Sequence, residues 1–368
     1  MLYLINDRTV LFGLHELEGV GWRTIDRLAS GVSGAYSCLL DAEPADLVAF
    51  GLKPSAAEHI CSKLTVPFIE GRLEAYERSR VSVMTALDSD YPPLLREIAQ
   101  PPWILYFRGD MRVLERPSIA MVGTRSPTAY GKKMAFELGR DLSAYGACVV
   151  SGLARGIDAS AHRGALTEAG STAAVLGCGP DTVYPLENAS LYAEIEEKGV
   201  LLTEYPLGTQ IKPGLFPQRN RIISGLSLGT VVVEAADRSG SLITADQALE
   251  QSRDVFAVPG PVTSPKSSGT LELIRQGAKM VASAEHILEE YGRLVPLGGR
   301  RRENAVGADY AATEDERKLL GLLSAAPVTF DELLTLTGFE FGHLHSVLLN
   351  LILKKKIAPL SGSSYMTL

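Results

Sequence analysis

Apolar runs that end in short polar turns recur through the middle of the chain. Four of these runs begin at Ser118, Ala147, Thr172 and Thr230, and each leads into a turn that carries glycine. Helically spaced apolar residues follow most of the turns, as in residues 159–168. Such alternation of strands and helices indicates a parallel sheet with helices on both faces. We therefore predict an α/β fold over residues 81–292, with a doubly wound, mostly parallel sheet.

The first 80 residues have a different pattern, that of short helices without clear strands. Gly19 and Gly21 make a tight turn, and Ile25 and Leu28 form the apolar face of the helix that follows. This turn is typical of helix-hairpin-helix and SAM-like modules, whose turn amides can contact a DNA phosphate. Acidic residues outnumber basic ones here, so a small helical domain that contacts protein is an open alternative.

Two further segments follow the α/β region. Residues 293–312 contain prolines, glycines and three consecutive arginines, which predicts a flexible linker. Residues 313–368 are predicted to form a winged helix. Its expected elements are a capping box at 313–316 before a first helix, helices at 328–334 and 345–353, and a small hairpin at 362–365. The segment 339–350 carries no lysine or arginine, so we favour protein contact over DNA reading for this domain.

Composition restricts the class of protein. The 368 residues suggest two or three domains, and 46% hydrophobic and 21% charged residues are typical of a globular chain. The net charge of −7 argues against indiscriminate nucleic-acid binding over the whole surface, but it leaves room for a local basic groove. Apolar runs are too short for membrane insertion, and the first residues show no cleavable signal, so we expect a cytoplasmic protein.

Motifs for metals and common cofactors are missing from the sequence. The four cysteines, at 38, 61, 148 and 178, are scattered without a C-x-x-C, so we expect four buried thiols and neither zinc nor disulfides. A Walker A loop, a complete G-x-G-x-x-G, a G-x-S-x-G elbow and H-E-x-x-H are all missing. We therefore predict no catalytic site, no metal site and no cofactor.

The polar turns are the best candidates for a binding site. In a doubly wound sheet the ligand lies beyond the carboxyl ends of the strands, where these glycine amides, hydroxyls and guanidiniums could hold phosphate. The candidate residues are Gly123, Arg125, Ser126, Ser151, Gly152, Arg155, Lys212, Phe216, Arg219, Asn220, Arg221, Ser239 and Ser241. The alternative is that the glycines and Asp158 merely shape turns and helix caps. That alternative leaves Arg125 and Arg155 unexplained.

The segment 216–225 is the most distinctive of these candidates. Phe216 precedes an Arg-Asn-Arg cluster, so a stacking face lies beside cations that could contact phosphate, with Lys212 extending the cationic rim. The alternative is that Phe216 covers the core and Asn220 fixes the start of a helix.

These residues carry a resemblance to the DNA-processing protein A family (DprA, also called Smf). The matching stretches, in order, are residues 122–125, 151–162, 184–185, 216–226, 233–235, 239–245 and 258–260. They span about residues 85 to 282. The flanking blocks are similar to the family's helical N-terminal domain and C-terminal winged helix.

The resemblance implies an extended Rossmann-like domain that binds single-stranded DNA, forms a homodimer and loads the recombinase RecA, without catalysis. In natural transformation and homologous recombination this would protect incoming DNA, with other competence proteins as further candidate partners. By motif, Arg125 is the principal phosphate contact and Phe216 forms the base-stacking pocket. Relatives often carry a cation three residues before this aromatic, where this chain has Pro213 beside Lys212.

A second function from another class is a Rossmann-type phosphoribohydrolase that cleaves nucleotide monophosphates. Enzymes of this lysine-decarboxylase-like group carry P-G-G-x-G-T-x-x-E, which ends in a catalytic glutamate. Residues 229–234 are similar to only the end of that motif, and the double glycine is missing. Glu234 could act as a carboxylate base, although we favour a structural cap at the edge of the core.

Overall fold

A computed structural model describes residues 3–168, 171–292, 313–323, 327–354, 356–360 and 363–367. The chain divides into two compact units, Met1–Gly299 and Arg300–Leu368, which are described separately. The predicted linker at 293–312 lies outside the described residues.

The first unit begins with a block of helices that packs on the edge of a sheet. The helices are α1 (Asp7–Glu16), α2 (Trp22–Val32), α3 (Pro44–Ala49), α4 (Pro54–Lys63) and α5 (Val66–Arg78), with a 3₁₀ turn at Tyr36–Leu40. Asn6 starts α1 with a capping box, and proline lies in the first turn of α3, α4 and α5. Their apolar faces share one core with Val81, Ile104 and Tyr106 of the sheet region. The boundary predicted at residue 80 therefore crosses a continuous core and remains a prediction.

A nine-stranded sheet forms the centre of this unit. Its strands are β1 (Ser82–Thr85), β2 (Ile104–Gly109), β3 (Ser118–Val122), β4 (Cys148–Ser151), β5 (Ser171–Val175), β6 (Val200–Thr203), β7 (Gly229–Val232), β8 (Asp254–Ala257) and β9 (Lys279–Met280). The spatial order is β1-β2-β6-β5-β4-β3-β7-β8-β9. The pairs β1/β2 and β2/β6 are antiparallel, and every other pair is parallel. The predicted doubly wound, mostly parallel sheet is confirmed.

Helices cover both faces of the sheet. They are α6 (Pro93–Arg96), α7 (Ala129–Ala144), α8 (Ile157–Ala165), α9 (Ala189–Lys198), α10 (Leu215–Gly225), α11 (Gly240–Glu250), α12 (Ser268–Arg275) and α13 (Ala284–Leu288). Successive residues of β3 point to opposite faces: Ile119 and Met121 pack with α7 and α8, and Ala120 and Val122 pack with α10 and α11. Both faces are buried, which explains why the central strands are continuous apolar runs.

The chain order reverses beside β3. From β3 the chain proceeds to β4 and β5 on one side, and β7 to β9 lie on the other side. Ligands of doubly wound sheets bind in the crevice at such a reversal, beyond the carboxyl ends of the strands. The topology therefore predicts a ligand site at the loops after β3 and β7.

The second unit is the predicted winged helix. Its elements are α14 (Glu314–Leu323), β10 (Val328–Thr329), α15 (Phe330–Thr337), α16 (Phe341–Leu353), β11 (Ile357–Leu360) and β12 (Ser364–Thr367). The capping box is present, since the Thr313 amide donates to the Glu316 carboxylate at 3.0 Å and the Glu316 amide to the Thr313 hydroxyl at 3.3 Å. The helix predicted at 328–334 starts two residues later because Val328 and Thr329 pair with β12.

The expectation of four buried thiols is wrong for two of them. Cys148 and Cys178 are buried, whereas Cys38 is exposed and Cys61 is half-buried. Within the described ranges no helix has the length and apolarity to cross a membrane. The same part of the chain contains no cluster of three His, Cys, Asp or Glu side chains that could hold a metal ion.

Candidate nucleic-acid interface

A crevice of about 440 Å³ opens over the carboxyl ends of β3 and β7. Four segments that are distant in sequence line it: the loop after β3, the loop before α8 with the first turn of that helix, the first turns of α10 with Pro213 before them, and the start of α11. The lining residues are Val122, Gly123, Thr124, Arg125, Ala154, Asp158, Pro213, Phe216, Pro217, Arg219, Asn220, Ser239, Gly240, Ser241, Ile243 and Thr244. Seven of the residues predicted from the sequence are among them.

The loop after β3 supplies an exposed cation. A side chain at Gly123 would meet Ile157 at 2.6 Å and the Glu234 carbonyl oxygen at 3.0 Å, so only glycine lets the loop pass here. The Thr124 amide donates to that same carbonyl oxygen at 2.8 Å. The loop is thereby fixed, and Arg125 projects from it with an exposed side chain.

Phe216, in the first turn of α10, forms an aromatic face of the crevice. Its ring lies against the backbone of Gly177, where a Cβ would come within 2.7 Å of the ring. The Tyr184 ring is 5.4 Å away between centroids, tilted by 44°, and the Arg125 guanidinium carbon is 5.7 Å from the centre of the Phe216 ring. The Arg125 cation and the Phe216 ring are therefore neighbours, whereas the sequence had paired this ring with the Arg-Asn-Arg cluster.

Arg219 is a buried cation in the floor of the crevice, only 5% exposed. Its Nη2 donates to the Gly152 carbonyl oxygen at 2.7 Å and its Nη1 to Asn220 Oδ1 at 3.3 Å. The Nε atom has no partner among the described residues. Burial lowers the pKa of Arg219. Burial also raises the pKa of the nearby Asp158 carboxyl, and the positive charge of Arg219 reduces that rise. A buried, partly unsatisfied guanidinium of this kind can bind an anion from the crevice.

The start of α11 contributes backbone donors. Ser239 caps the helix by accepting from the Ser241 amide at 3.4 Å, and the two hydroxyls are 2.7 Å apart. Asn220 donates to the Gly240 carbonyl oxygen at 3.5 Å and so ties α10 to this turn. Amides in the first turn of an eleven-residue helix favour a negative group, so this end of the crevice suits a phosphate.

Three predicted residues lie behind or beside the crevice. The Ser151 hydroxyl is buried and donates to the Met121 carbonyl oxygen at 2.6 Å. Gly152 supports Arg219 from behind, since a Cβ there would lie 1.8 Å from Arg219 Nη1. Arg155 is exposed and pairs with Glu187 at 3.0 Å. None of the three lines the cavity.

The predicted Arg-Asn-Arg cluster is split by the structure. Arg221 turns away from Arg219 and forms a two-pronged ion pair with Glu204, each N–O distance being 2.6 Å. Lys212 and Ser126 are exposed but do not line the crevice. Of the two arginines, the structure brings only Arg219 to the site.

Two neighbours of the site were missed by the sequence reasoning. The Lys266 amine donates to the Ser126 carbonyl oxygen and so adds a cation beside Arg125. Tyr184 adds a second ring next to Phe216. Each lies in a loop after a parallel strand, which is the signal that would have placed both at this edge of the sheet.

Glu234 and Asp158 both have structural roles, of which the sequence predicted the first correctly and the second incorrectly. Glu234 is 3% exposed, and its carboxylate accepts from the Thr128 amide at 2.9 Å and the Thr128 hydroxyl at 2.5 Å. It therefore has the structural role that we favoured and holds Thr128, the cap residue of α7, in place. The expectation that Asp158 caps α8 is wrong. Gly156 is the cap residue, and Asp158 accepts from the amides of Gly152 and Ala154 at 3.2 and 3.4 Å.

Comparison with known proteins gives consistent matches along the chain. The family model described as DNA recombination-mediator protein A matches residues 82–292, and that of the DprA winged helix domain matches residues 303–363. DNA processing protein DprA of Bacillus subtilis is 44% identical over 219 residues, which cover 59% of this chain and 74% of that protein. Protein Smf of Synechocystis sp. is 34% identical over 325 residues, covering 80% and 82%.

Solved structures show the same relationship. The crystal structure of DNA processing protein A from Streptococcus pneumoniae aligns with a TM-score of 0.69 at 32% identity, covering 78% of this chain and 99% of that one. A structure of the Helicobacter pylori protein, described as revealing its single-stranded DNA binding mode, aligns with a TM-score of 0.53 at 30% identity, covering 58% and 96%.

Proposed function

Because this chain belongs to the DNA recombination-mediator protein A (DprA/Smf) family, we propose that it binds single-stranded DNA without sequence preference in the crevice over β3 and β7. The neighbouring Arg125 and Phe216 are the observation that carries the proposal. A strand has a phosphate and a base on every unit, so an exposed cation beside an aromatic face matches its repeating chemistry.

The crevice provides three kinds of contact for one short stretch of strand. Arg125 and the buried Arg219 bind phosphate oxygens, and the amides at the start of α11 donate to a phosphate at the helix terminus. A base stacks on Phe216, and every base has a face that can stack, which explains binding without sequence preference. The Helicobacter pylori relative binds single-stranded DNA, and this supports the assignment.

The protein is further proposed to act as a recombination mediator in the cytoplasm. It would protect incoming strands, load RecA onto them during transformation and recombination, and act as a homodimer, with residues 81–292 as its DNA-binding part. Two crevices on one dimer would bind the same strand with a higher apparent affinity than either alone. The description of the matched family as a recombination mediator supports this part.

The proposed action requires no catalysis. The carboxylate that a phosphoribohydrolase would need, Glu234, is buried and holds two hydrogen bonds from Thr128. A base that must take up a proton from substrate needs to reach it, so this arrangement favours the binding function.

Fluorescence anisotropy of labelled oligo-dT at several salt concentrations tests the proposal. Two or three contacted phosphates predict that the logarithm of affinity falls with the logarithm of salt with a slope of about 1.4 to 2.1, at about 0.7 for each phosphate. The Arg125→Ala variant should lose about tenfold or more in affinity, and Phe216→Ala a similar amount, since one stacked base contributes roughly 1–3 kcal/mol.

The matched control is Arg112→Ala, which removes an arginine that is 80% exposed and paired with Asp110 at 2.7 Å outside the crevice. Its affinity should equal that of the unaltered protein. Equal losses in Arg112→Ala and Arg125→Ala would mean that general charge, not the crevice, binds DNA. Equal affinity for a duplex of the same length would contradict the preference for single strands.

A further inference from the structure

A second cavity, of about 850 Å³, lies at the same edge of the sheet as the crevice. It is lined by the hairpin at residues 15–24, by Trp103 before β2, by residues 204–206 after β6, and by side chains of α10 and α11. Strand β6 runs parallel to β3 and β7 through β5 and β4, so residues 204–206 emerge at the edge where the crevice opens.

Helix α10 forms a wall of both spaces. Pro217 and Asn220 line the crevice, whereas Gln218 and Arg221 line the second cavity. Gln247 of α11 also lines the second cavity, and its Nε2 donates to the Pro217 carbonyl oxygen at 3.5 Å. An α-helix is about 10–12 Å across with its side chains. About the width of one helix therefore separates the two spaces.

The walls of the second cavity present two aromatic rings. Trp22 and Trp103, the only tryptophans in the chain, have ring centroids 5.9 Å apart and are half-buried. The Trp22 indole donates to the Pro101 carbonyl oxygen at 2.6 Å, and the Trp103 indole donates to that of Trp22 at 3.3 Å. Both rings are thus held in place, and fixed aromatic surfaces of this kind receive nucleic-acid bases.

The charges of the cavity suit a base inside and a phosphate at the mouth. The carboxylate of Glu16 accepts from Arg72 at 2.6 Å, and that of Glu204 is paired with Arg221, so neither presents a free negative charge. Arg23 is exposed at the start of α2, an eleven-residue helix whose cap residue, Gly21, makes no side-chain cap. The exposed acid Glu18 also lies at the mouth and partly offsets Arg23.

One hydrogen-bonding atom in the wall has no partner in the described part of the chain. It is Oε1 of Gln247, which is buried. A buried acceptor of this kind costs free energy unless a donor reaches it.

From this placement we propose that the second cavity is an extension of the DNA site. A single strand passes from the crevice around α10, and its bases enter the cavity against Trp22 and Trp103, with a phosphate at Arg23 and the first-turn amides of α2. The extension rests on the proposed function, since the strand comes from the crevice. It gives the helical block a direct role in holding DNA.

Tryptophan fluorescence tests the extension, because both tryptophans line this cavity and neither lines the crevice. Labelled oligo-dT of about 4 and about 16 nucleotides, the limits of common single-strand site sizes, is titrated while anisotropy and tryptophan emission are recorded. The short oligonucleotide should bind without changing the emission. The long one should quench it over the same concentrations at which anisotropy rises.

Variants separate this proposal from the one on which it rests. Arg23→Glu should lower the affinity for the long oligonucleotide severalfold and leave the affinity for the short one unchanged, whereas Arg125→Ala should lower both affinities. The control Arg78→Glu makes the same charge change at a residue of the helical block that is 71% exposed and does not line the cavity. It should bind both oligonucleotides like the unaltered protein.

One outcome would overturn the extension and leave the crevice proposal standing. In it, Arg125→Ala abolishes binding of the long oligonucleotide, but that binding leaves the tryptophan emission unchanged and is insensitive to Arg23→Glu. The cavity would then be open to another occupant, such as a segment of a partner protein. Quenching that survives Arg125→Ala would separate the cavity from the crevice and overturn the continuous path. Binding of neither oligonucleotide would refute both proposals.

Discussion

Replacing Gly152 by alanine would drive a methyl group into the guanidinium of Arg219. The added Cβ would lie 1.8 Å from Nη1 and 2.4 Å from Cζ, whereas ordinary contacts begin at 3.4 Å, so the group must retreat by about 1.6 Å. That movement breaks the 2.7 Å hydrogen bond from Nη2 to the Gly152 carbonyl oxygen. It also changes the position of the cation in the floor of the crevice.

The cost follows from two terms. Overpacking a well-packed site costs about 1–3 kcal/mol, and losing a hydrogen bond from a charged group costs about 1.5–3 kcal/mol. We expect the free energy of unfolding to fall by about 3 kcal/mol and the affinity for oligo-dT to fall about tenfold. Urea unfolding and anisotropy measure the two effects.

Two further variants isolate the cause. In an Arg219→Ala background the guanidinium is gone, so adding Gly152→Ala should cost less than about 1 kcal/mol more, which is a coupling between neighbours. Gly71→Ala, at a helical glycine with open space around it, should be neutral or slightly stabilising. If Gly152→Ala costs as much with Arg219 as without it, the clash is not the reason and our account of the buried cation is wrong.

Three other predictions address stability. Burial lowers the pKa of His162 from 6.5 to about 3, so the unfolded chain takes up a proton first as the pH falls. This group should therefore lower the free energy of unfolding by about 2 kcal/mol between about pH 7.5 and pH 5. Urea unfolding at several pH values should show this loss in the unaltered protein but not in His162→Gln. Thr128→Val removes the hydroxyl that donates to buried Glu234 and that caps α7 by accepting from the Gly131 amide at 3.1 Å, and it should destabilise by about 1–3 kcal/mol. Thr124→Val, whose hydroxyl accepts from an exposed amide at 3.3 Å, should cost less. Equal losses would mean that the hydrogen bonds of the Thr128 hydroxyl add nothing to stability. Deleting residues 1–80 should expose Ile104 and Tyr106 and give a protein that aggregates in size-exclusion chromatography, whereas a well-behaved monomer or dimer would show that the two parts fold independently.

The apolar runs and the glycine turns were enough to predict the sheet and the place of the crevice. Strand β3 and the loop at Arg125 lie where we predicted them from the sequence. Buried parallel strands are continuous apolar runs, and their carboxyl ends meet at one edge of the sheet. Phe216 likewise reaches the crevice. These features depend on local sequence and on a general rule of topology.

The arrangement of the two arginines could not be predicted from adjacency in the sequence. Arg219 and Arg221 lie in helix α10, where residues two apart point to different sides, so one faces the crevice and the other pairs with Glu204. The partner of Arg221 and the contact between Gly152 and Arg219 join segments far apart in the chain. Such pairs become visible only when the tertiary structure is known.

The helical block also closes one margin of the sheet. Arg8 in α1 donates from Nη2 to the Val83 carbonyl oxygen at 2.6 Å and from Nε to Asp88 at 2.8 Å, so a side chain occupies an acceptor on the outermost strand, β1. At the opposite margin β9 has only two residues. Short or blocked margins give other chains little to pair with, which protects a protein built on an open sheet against fibre formation. The first helix thus hinders edge-to-edge pairing of the sheet with another chain, the process that would cause aggregation at high concentration.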